Sequence, residues 1–231
     1  MKLTILIGCF NEKSTILKAI EEAKAINIDK EIIVIDNCST DGTKDILEGL
    51  KGDRELKIIF HSKNMGASYS GCEGVRLALG DYFYAPGADL EYKMSDVYKM
   101  IEEIESKGLD AVFGSRLLDR KGVSKVELIK ERPYWLGTII ATFLVNLLYR
   151  RNFTDVIGVK LARASILKKL ERKDNGQAGE FELVSKLCKI GCKIGEVPVY
   201  YKPRTHKEGK TIRAFDMIPA ILAILRVKIF G

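Results

Sequence analysis

Residues 31–35 read EIIVI, a run that is nearly all apolar and β-branched. A strand with no polar face needs cover on both sides, and that is the environment of a parallel strand between two layers of helices. The run is one of a series. Short β-rich stretches at 3–7, 31–35, 57–60, 81–85 and 111–114 alternate with helical patterns at about 12–25, 43–50, 65–79 and 94–106. Strands and helices alternating at this spacing predict an α/β domain, Rossmann-like, with a mostly parallel sheet and helices on both faces. Ligands of such sheets gather at the carboxyl ends of the strands. The polar groups Asn11-Glu12, the stretch 36–43 and the stretch 88–91 all fall there.

The 231 residues are 46% hydrophobic, which suffices for a sizeable core and excludes a disordered or collagen-like chain. Thirty-eight Lys and Arg against 31 Asp and Glu leave a formal charge of +7, which favours anionic partners. Nucleic acid is not expected among them, because no basic stripe interleaved with aromatics appears. No Gly-x-Gly-x-x-Gly fingerprint and no Walker loop occurs, which argues against a dinucleotide dehydrogenase or a P-loop ATPase. The five cysteines are odd in number and scattered, and only His61 and His206 accompany them. Neither a disulfide framework nor a zinc site is expected. The opening MKLTILIGCFNE lacks the length and cleavage site of a secretory signal, so a reducing, cytoplasmic setting is expected.

Two acidic positions stand out. Asp41-Gly42-Thr43 reads as a tight turn and helix cap, whereas Asp36, at a strand end, has no evident structural duty and suits a nucleotide's ribose or base. Asp89 and Glu91 are two apart after the fourth strand, and in an extended segment both carboxylates face one side. Such hard oxygen donors suit Mg2+ or Mn2+, which complete their shells with water and substrate phosphates.

Residues 134–149 (YWLGTIIATFLVNLLY) carry no charge and are bracketed by Lys130, Arg132, Arg150 and Arg151; residues 217–230 (MIPAILAILRVKIF) form a second apolar stretch, with Arg226 and Lys228. Both are short for a bilayer crossing, which needs about 20 residues. They read either as buried core helices or as helices lying at a membrane interface.

Gly8-Cys9-Phe10-Asn11-Glu12, Ile35-Asp36-Asn37-Cys38-Ser39-Thr40-Asp41-Gly42-Thr43, Asn64-Met65-Gly66, Ala88-Asp89-Leu90, Gly114-Ser115-Arg116 and Glu196-Val197-Pro198-Val199 occur in one order. The set resembles the family 2 glycosyltransferases of GT-A fold, most of all the dolichyl- or polyprenyl-phosphate sugar transferases, across roughly residues 3–213. The resemblance implies transfer of a sugar, with inversion, from a UDP- or GDP-sugar to a polyprenyl phosphate. It implies that Phe10, Asn11, Glu12, Asp36, Asn64, Gly66, Ala88, Asp89, Arg204 and Lys210 meet the nucleotide-sugar and that Asp89 and Glu91 hold the metal. Arg116, Arg132 and Thr138 would meet the acceptor phosphate, with Asp89, Arg116 and Arg204 closest to the chemistry. The basic tail 202–213 would close over the diphosphate. Asp155 either orients an acceptor-binding arginine or caps a helix, and Glu180 and Glu182 open a helix that the family places below the active site.

The expected organisation is a GT-A domain over 1–213, including an interface region at about 120–151, and an apolar, basic helix over 214–231. Attachment at the cytoplasmic membrane face is expected, with a membrane protein or a second copy as a further partner. Three departures stand against the resemblance, the first being Gly8 where the family usually has proline. Asn37 replaces the second of two adjacent acids, and Gly87 replaces the first acid of the family's Asp-x-Asp. Either Asp89, Glu91 and the donor's diphosphate suffice for a metal, or cationic side chains share the leaving-group charge. The alternatives are a catalytically weakened nucleotide-sugar binder that partners a membrane protein, and transfer to a soluble acceptor.

Overall fold

The computed structural model describes residues 1–120, 122–131, 135–172, 178–204 and 217–230. In chain order the elements are β1 (Leu3–Cys9), α1 (Ile16–Lys24), β2 (Lys30–Asp36), α2 (Thr43–Gly49), β3 (Leu56–Phe60), α3 (Ala67–Leu77), β4 (Tyr82–Tyr84), α4 (Val97–Ser106) and β5 (Ala111–Ser115). Then follow α5 (Lys125–Glu131), α6 (Trp135–Tyr149), β6 (Lys160–Arg163), α7 (Ala164–Leu167), α8 (Ala178–Lys189), β7 (Ile194–Pro198) and α9 (Met217–Phe230). Seven strands form one sheet in the order β3-β2-β1-β4-β6-β5-β7. Every pairing is parallel except those of β6, which runs antiparallel to both β4 and β5.

The period of two along the strands builds two cores. Leu6, Ile33, Ile35, Ala111 and Phe113 face α3, α6, α8 and α9, whereas Ile5, Ile7, Ile32, Val34 and Val112 face α1, α2 and α4. Because the long strands are parallel, the segments after β1, β2, β4 and β5 emerge along one edge. The antiparallel β6 brings its first residue, Lys160, to that edge opposite Phe113. Sequence periodicity does not reveal β6: KLAR is four residues long and half basic. Its approach depends on Gly158, where a Cβ would lie 1.8 Å from the Gly114 carbonyl oxygen. The last strand of the sheet, β7, runs Ile194–Pro198.

The two apolar segments are both helices, and each is half core. α6 buries Trp135, Thr138, Ala141, Thr142 and Val145 and exposes Leu136, Ile140, Phe143 and Leu147. α9 packs on α6 and α8 through Ala220, Ala223, Ile224 and Val227 and exposes Ile218, Leu222, Leu225, Ile229 and Phe230. Lys189 donates to the Val227 carbonyl at 2.9 Å, satisfying an end of α9 that the helix itself leaves open. At 1.5 Å per residue these helices are about 21–23 Å long, less than the ~30 Å hydrocarbon core. Among the described residues no helix is long and apolar enough to cross a membrane.

Candidate active site

The loop after β1 is tied to the loop after β2. Asn11 adopts a left-handed backbone (φ 58°), which asparagine tolerates, and its side-chain oxygen accepts from Thr40 N at 2.8 Å. Ser39 Oγ in turn accepts from Asn11 N at 2.9 Å, and Thr43 Oγ1 from Glu12 N at 2.9 Å. Phe10 stands beside them, 45% exposed. Asp36 is fully buried and does have a structural duty: it accepts hydrogen bonds from the backbone N–H and the hydroxyl of Ser39. The expectation of an acid without one is corrected here, since a side chain bonding three residues on is common to Asx turns and invisible to strand periodicity.

Asn37 organises the neighbouring loop. Its Nδ2 donates to Asn64 Oδ1 (2.8 Å), and its Oδ1 accepts from Met65 N (2.8 Å) and lies 2.9 Å from His61 Nδ1. His61 Nε2 lies 2.6 Å from Glu73. Asn64 Oδ1 also accepts from Gly66 N at 2.9 Å, so both expected nucleotide-contacting positions are held by this network. His61 and Glu73 were not singled out in sequence, where a lone histidine after a strand carries no signal.

Ala88 is buried, and Asp89, Glu91 and Arg204 meet beside Glu12. Arg204 grips Glu12 with both terminal nitrogens (2.9 and 2.6 Å), lies 3.7 Å from Asp89 Oδ2, and donates its backbone N–H to Glu91 Oε1 at 2.7 Å. Lys202 N donates to the Glu91 carbonyl at 2.8 Å, and Tyr201 bridges to Tyr92. Burial first, and then the neighbouring Glu91, push the Asp89 carboxyl up to about 6. Gly87 has φ 83°, and a Cβ there would stand 3.6 Å from Asp89 Oδ1, so an acid at 87 would have sat against Asp89. Among the described residues no group of three or more His, Cys, Asp or Glu converges as a metal site. Asp89 and Glu91 nonetheless fit a hard divalent cation that keeps most of its shell as water and phosphate oxygen. A cation there would offset both the burial and the neighbouring Glu91 that raise Asp89.

Arg116, at the end of β5, is the second arginine. Its Nε and Nη2 donate to the two oxygens of Asp155 at 2.6 and 3.0 Å, and its backbone N–H to Asp155 Oδ2 at 3.1 Å. Nη2 also reaches Thr138 Oγ1 at 3.3 Å. Trp135 and Tyr201 cover the guanidinium, each ring centre 4.9 Å away. Burial opposes the charge on Asp155, yet the field and hydrogen bonds of Arg116 hold its carboxyl below the usual range. Of the two readings of Asp155, the structure shows the arginine partner. Glu196 on β7 completes the support by accepting from Thr154 N (2.8 Å) and Asp155 N (3.1 Å). Burial raises the pKa of Glu196. Arg132, Lys210 and the rest of the basic tail from 205 lie outside the described residues. Tyr92 joins the two halves, for the charges of Arg116, Asp155, Glu91 and Asp89 all reach its hydroxyl.

Comparison with known proteins identifies the family and the fold. Residues 4–171 match the glycosyl transferase family 2 profile. The chain is 31% identical to the dolichol-phosphate mannosyltransferase of Pyrococcus furiosus, across 98% of this chain and 64% of that protein. It is 25% identical to the dodecaprenyl-phosphate galacturonate synthase of Rhizobium johnstonii, across 97% and 67%. Among solved structures, glucosyl-3-phosphoglycerate synthase from Mycobacterium tuberculosis, in complex with Mn2+, UDP and phosphoglyceric acid, superposes with a TM-score of 0.66. That match has 17% identity and covers 100% of this chain and 79% of that one, so it speaks for the fold.

Proposed function

The chain belongs to glycosyl transferase family 2 and has the GT-A fold, and from that premise we propose that it transfers a sugar from a UDP- or GDP-sugar to a polyprenyl phosphate at a membrane surface. The observation that carries the acceptor is the double role of α6. One face places Trp135 and Thr138 on the Arg116 guanidinium, while the other exposes Leu136, Ile140, Phe143 and Leu147 beside the apolar face of α9. A cation at the foot of an apolar, membrane-facing helix suits a phosphate whose tail stays in lipid. Attachment is then peripheral, on the cytoplasmic face.

In this reading an ionised phosphate oxygen of the lipid attacks the anomeric carbon of the bound sugar. The new C–O bond forms on the face opposite the one breaking, and the nucleoside diphosphate leaves with the bonding pair. A phosphate is already anionic at neutral pH, so no histidine base is required. Arg116, set in place by Asp155, Thr138 and Glu196, orients the nucleophile, whose approach requires Trp135 and Tyr201 to part. Asn11, Glu12, Asp36 and the 64–66 loop hold the nucleotide. Arg204 exchanges Glu12 for the diphosphate and stabilises its growing charge through two parallel hydrogen bonds. A divalent cation on Asp89 and Glu91 supplies, when bound, further neutralisation of that leaving group. Incubation with UDP- and GDP-sugars, Mg2+ and a short water-soluble prenyl phosphate tests the reading. Prenyl-phosphate sugar with inverted anomeric configuration is expected; transfer only to phosphoglycerate or another soluble acceptor rejects it.

A further inference from the structure

Between α3 and α8 lies a cavity of about 500 Å³ whose lining includes Ala85 and Tyr92, the residues that bracket the loop carrying Asp89. Its walls are mostly apolar, with Val75, Phe83, Leu167, Leu183 and Leu187 among them. Its charged lining includes a linked cluster from three different segments. Lys160 Nζ lies 3.1 Å from Glu180 Oε2 and 2.9 Å from the Gly158 carbonyl oxygen. Arg172 Nη2 donates to Ser68 Oγ (3.1 Å) and to the Gly179 carbonyl (2.8 Å), while its buried Nε has no acceptor. Half of the Glu180 side chain's surface is open, and it lines the cavity.

An unmet guanidinium N–H and a half-open carboxylate in an apolar wall suit a ligand that bonds to them, and the remaining wall suits apolar surface on the same ligand. A plain hexose meets only the first demand, since it carries hydroxyls around its ring and offers the apolar wall little surface. An N-acylated amino sugar meets both. Its ring hydroxyls donate to Glu180, its amide oxygen accepts from Lys160 or Arg172, and its acyl methyl fills the space against Val75, Leu183 and Leu187.

We infer that this cavity selects a donor whose sugar is N-acylated over the corresponding plain hexose; the inference rests on the glycosyl-transfer reading above. Calorimetric titration with UDP, GDP and their plain and N-acetylated sugar nucleotides, in Mg2+, tests it. With whichever nucleotide the chain prefers, the N-acetylated sugar is expected to bind at least about tenfold more tightly than the plain hexose, as befits an extra apolar group in a fitted pocket. Leu183→Trp, which occupies the space assigned to the acyl group, should erase that difference and leave the bare diphosphate's affinity unchanged. Glu180→Gln, nearly isosteric and the safeguard should Leu183→Trp not fold, should weaken both sugar nucleotides but not the bare diphosphate. Equal affinity for the two sugars in the unaltered protein overturns the selectivity, as does Glu180→Gln binding both as the unaltered protein does. If neither UDP nor GDP binds, the glycosyl-transfer reading falls and takes this inference with it.

Discussion

Two arginine–carboxylate pairs flank Tyr92, and they are built differently. Arg116 and Asp155 are 5% and 0% exposed, roofed by two rings and braced by Glu196. Arg204 and Glu12 are 22% and 11% exposed, and Arg204 adjoins the basic tail. A charge pair this deeply buried is part of the fold, because breaking it strands a charge in low dielectric. A pair that keeps some contact with solvent can exchange one anion for another at lower cost. The first arginine is therefore a fixed post for the acceptor, and the second a movable cation for the leaving group.

The sharpest way to break this contrast is to remove each carboxylate and measure unfolding in urea. Asp155→Ala leaves Arg116 buried without its partner and should cost about 3–5 kcal/mol. Glu12→Ala should cost less, about 1–2 kcal/mol, since that pair keeps some solvent exposure. Comparable losses in the two variants would erase the distinction.

Asp89 sharpens the donor half. Its folded carboxyl, at about 6, lies above the ordinary value of 3.8. The native state thus binds more protons than the unfolded chain between those values, and stability falls as pH rises through the window. The penalty is absent below about pH 4 and complete above about pH 6. In chelator, Asp89→Asn should be more stable than the unaltered protein at pH 7, by about 1–3 kcal/mol, and no more stable near pH 4. Identical pH profiles would show that burial and Glu91 do not hold the Asp89 carboxyl above its ordinary range.

Much of this was legible in sequence. The alternation of β-branched runs with amphipathic helices predicted a parallel sheet, and Asp36, Asp89 and Arg116 fall at its carboxyl edge because strand ends are readable from where polarity returns. Other features were not legible. β6 is too short and polar for periodicity, and its antiparallel course depends on Gly158 meeting Gly114. The bond of Asp36 to Ser39 is side chain to backbone, which no residue pattern encodes. Arg204 and Glu12 are 192 positions apart, so only the folded sheet brings them together. The grip of Glu196 on Thr154 and Asp155 likewise crosses two loops that sequence leaves unconnected.

The smallest effect on stability belongs to the α6–α9 surface. Leu222→Glu on the exposed face of α9 should change unfolding by no more than about 0.5 kcal/mol, the usual range for surface substitutions. It should nevertheless weaken sedimentation with anionic phospholipid vesicles several-fold. Unchanged vesicle binding would detach this face from the lipid.

The division of labour between the arginines is tested most directly by two-substrate initial rates of Arg204→Ala on a short water-soluble prenyl phosphate. The account predicts that kcat/KM for the nucleotide-sugar falls roughly 30- to 150-fold, the equivalent of about 2–3 kcal/mol from a charge-assisted contact in a closed site. KM for the prenyl phosphate should stay where it was. A loss that falls instead on the prenyl phosphate's KM, or no loss at all, would contradict it.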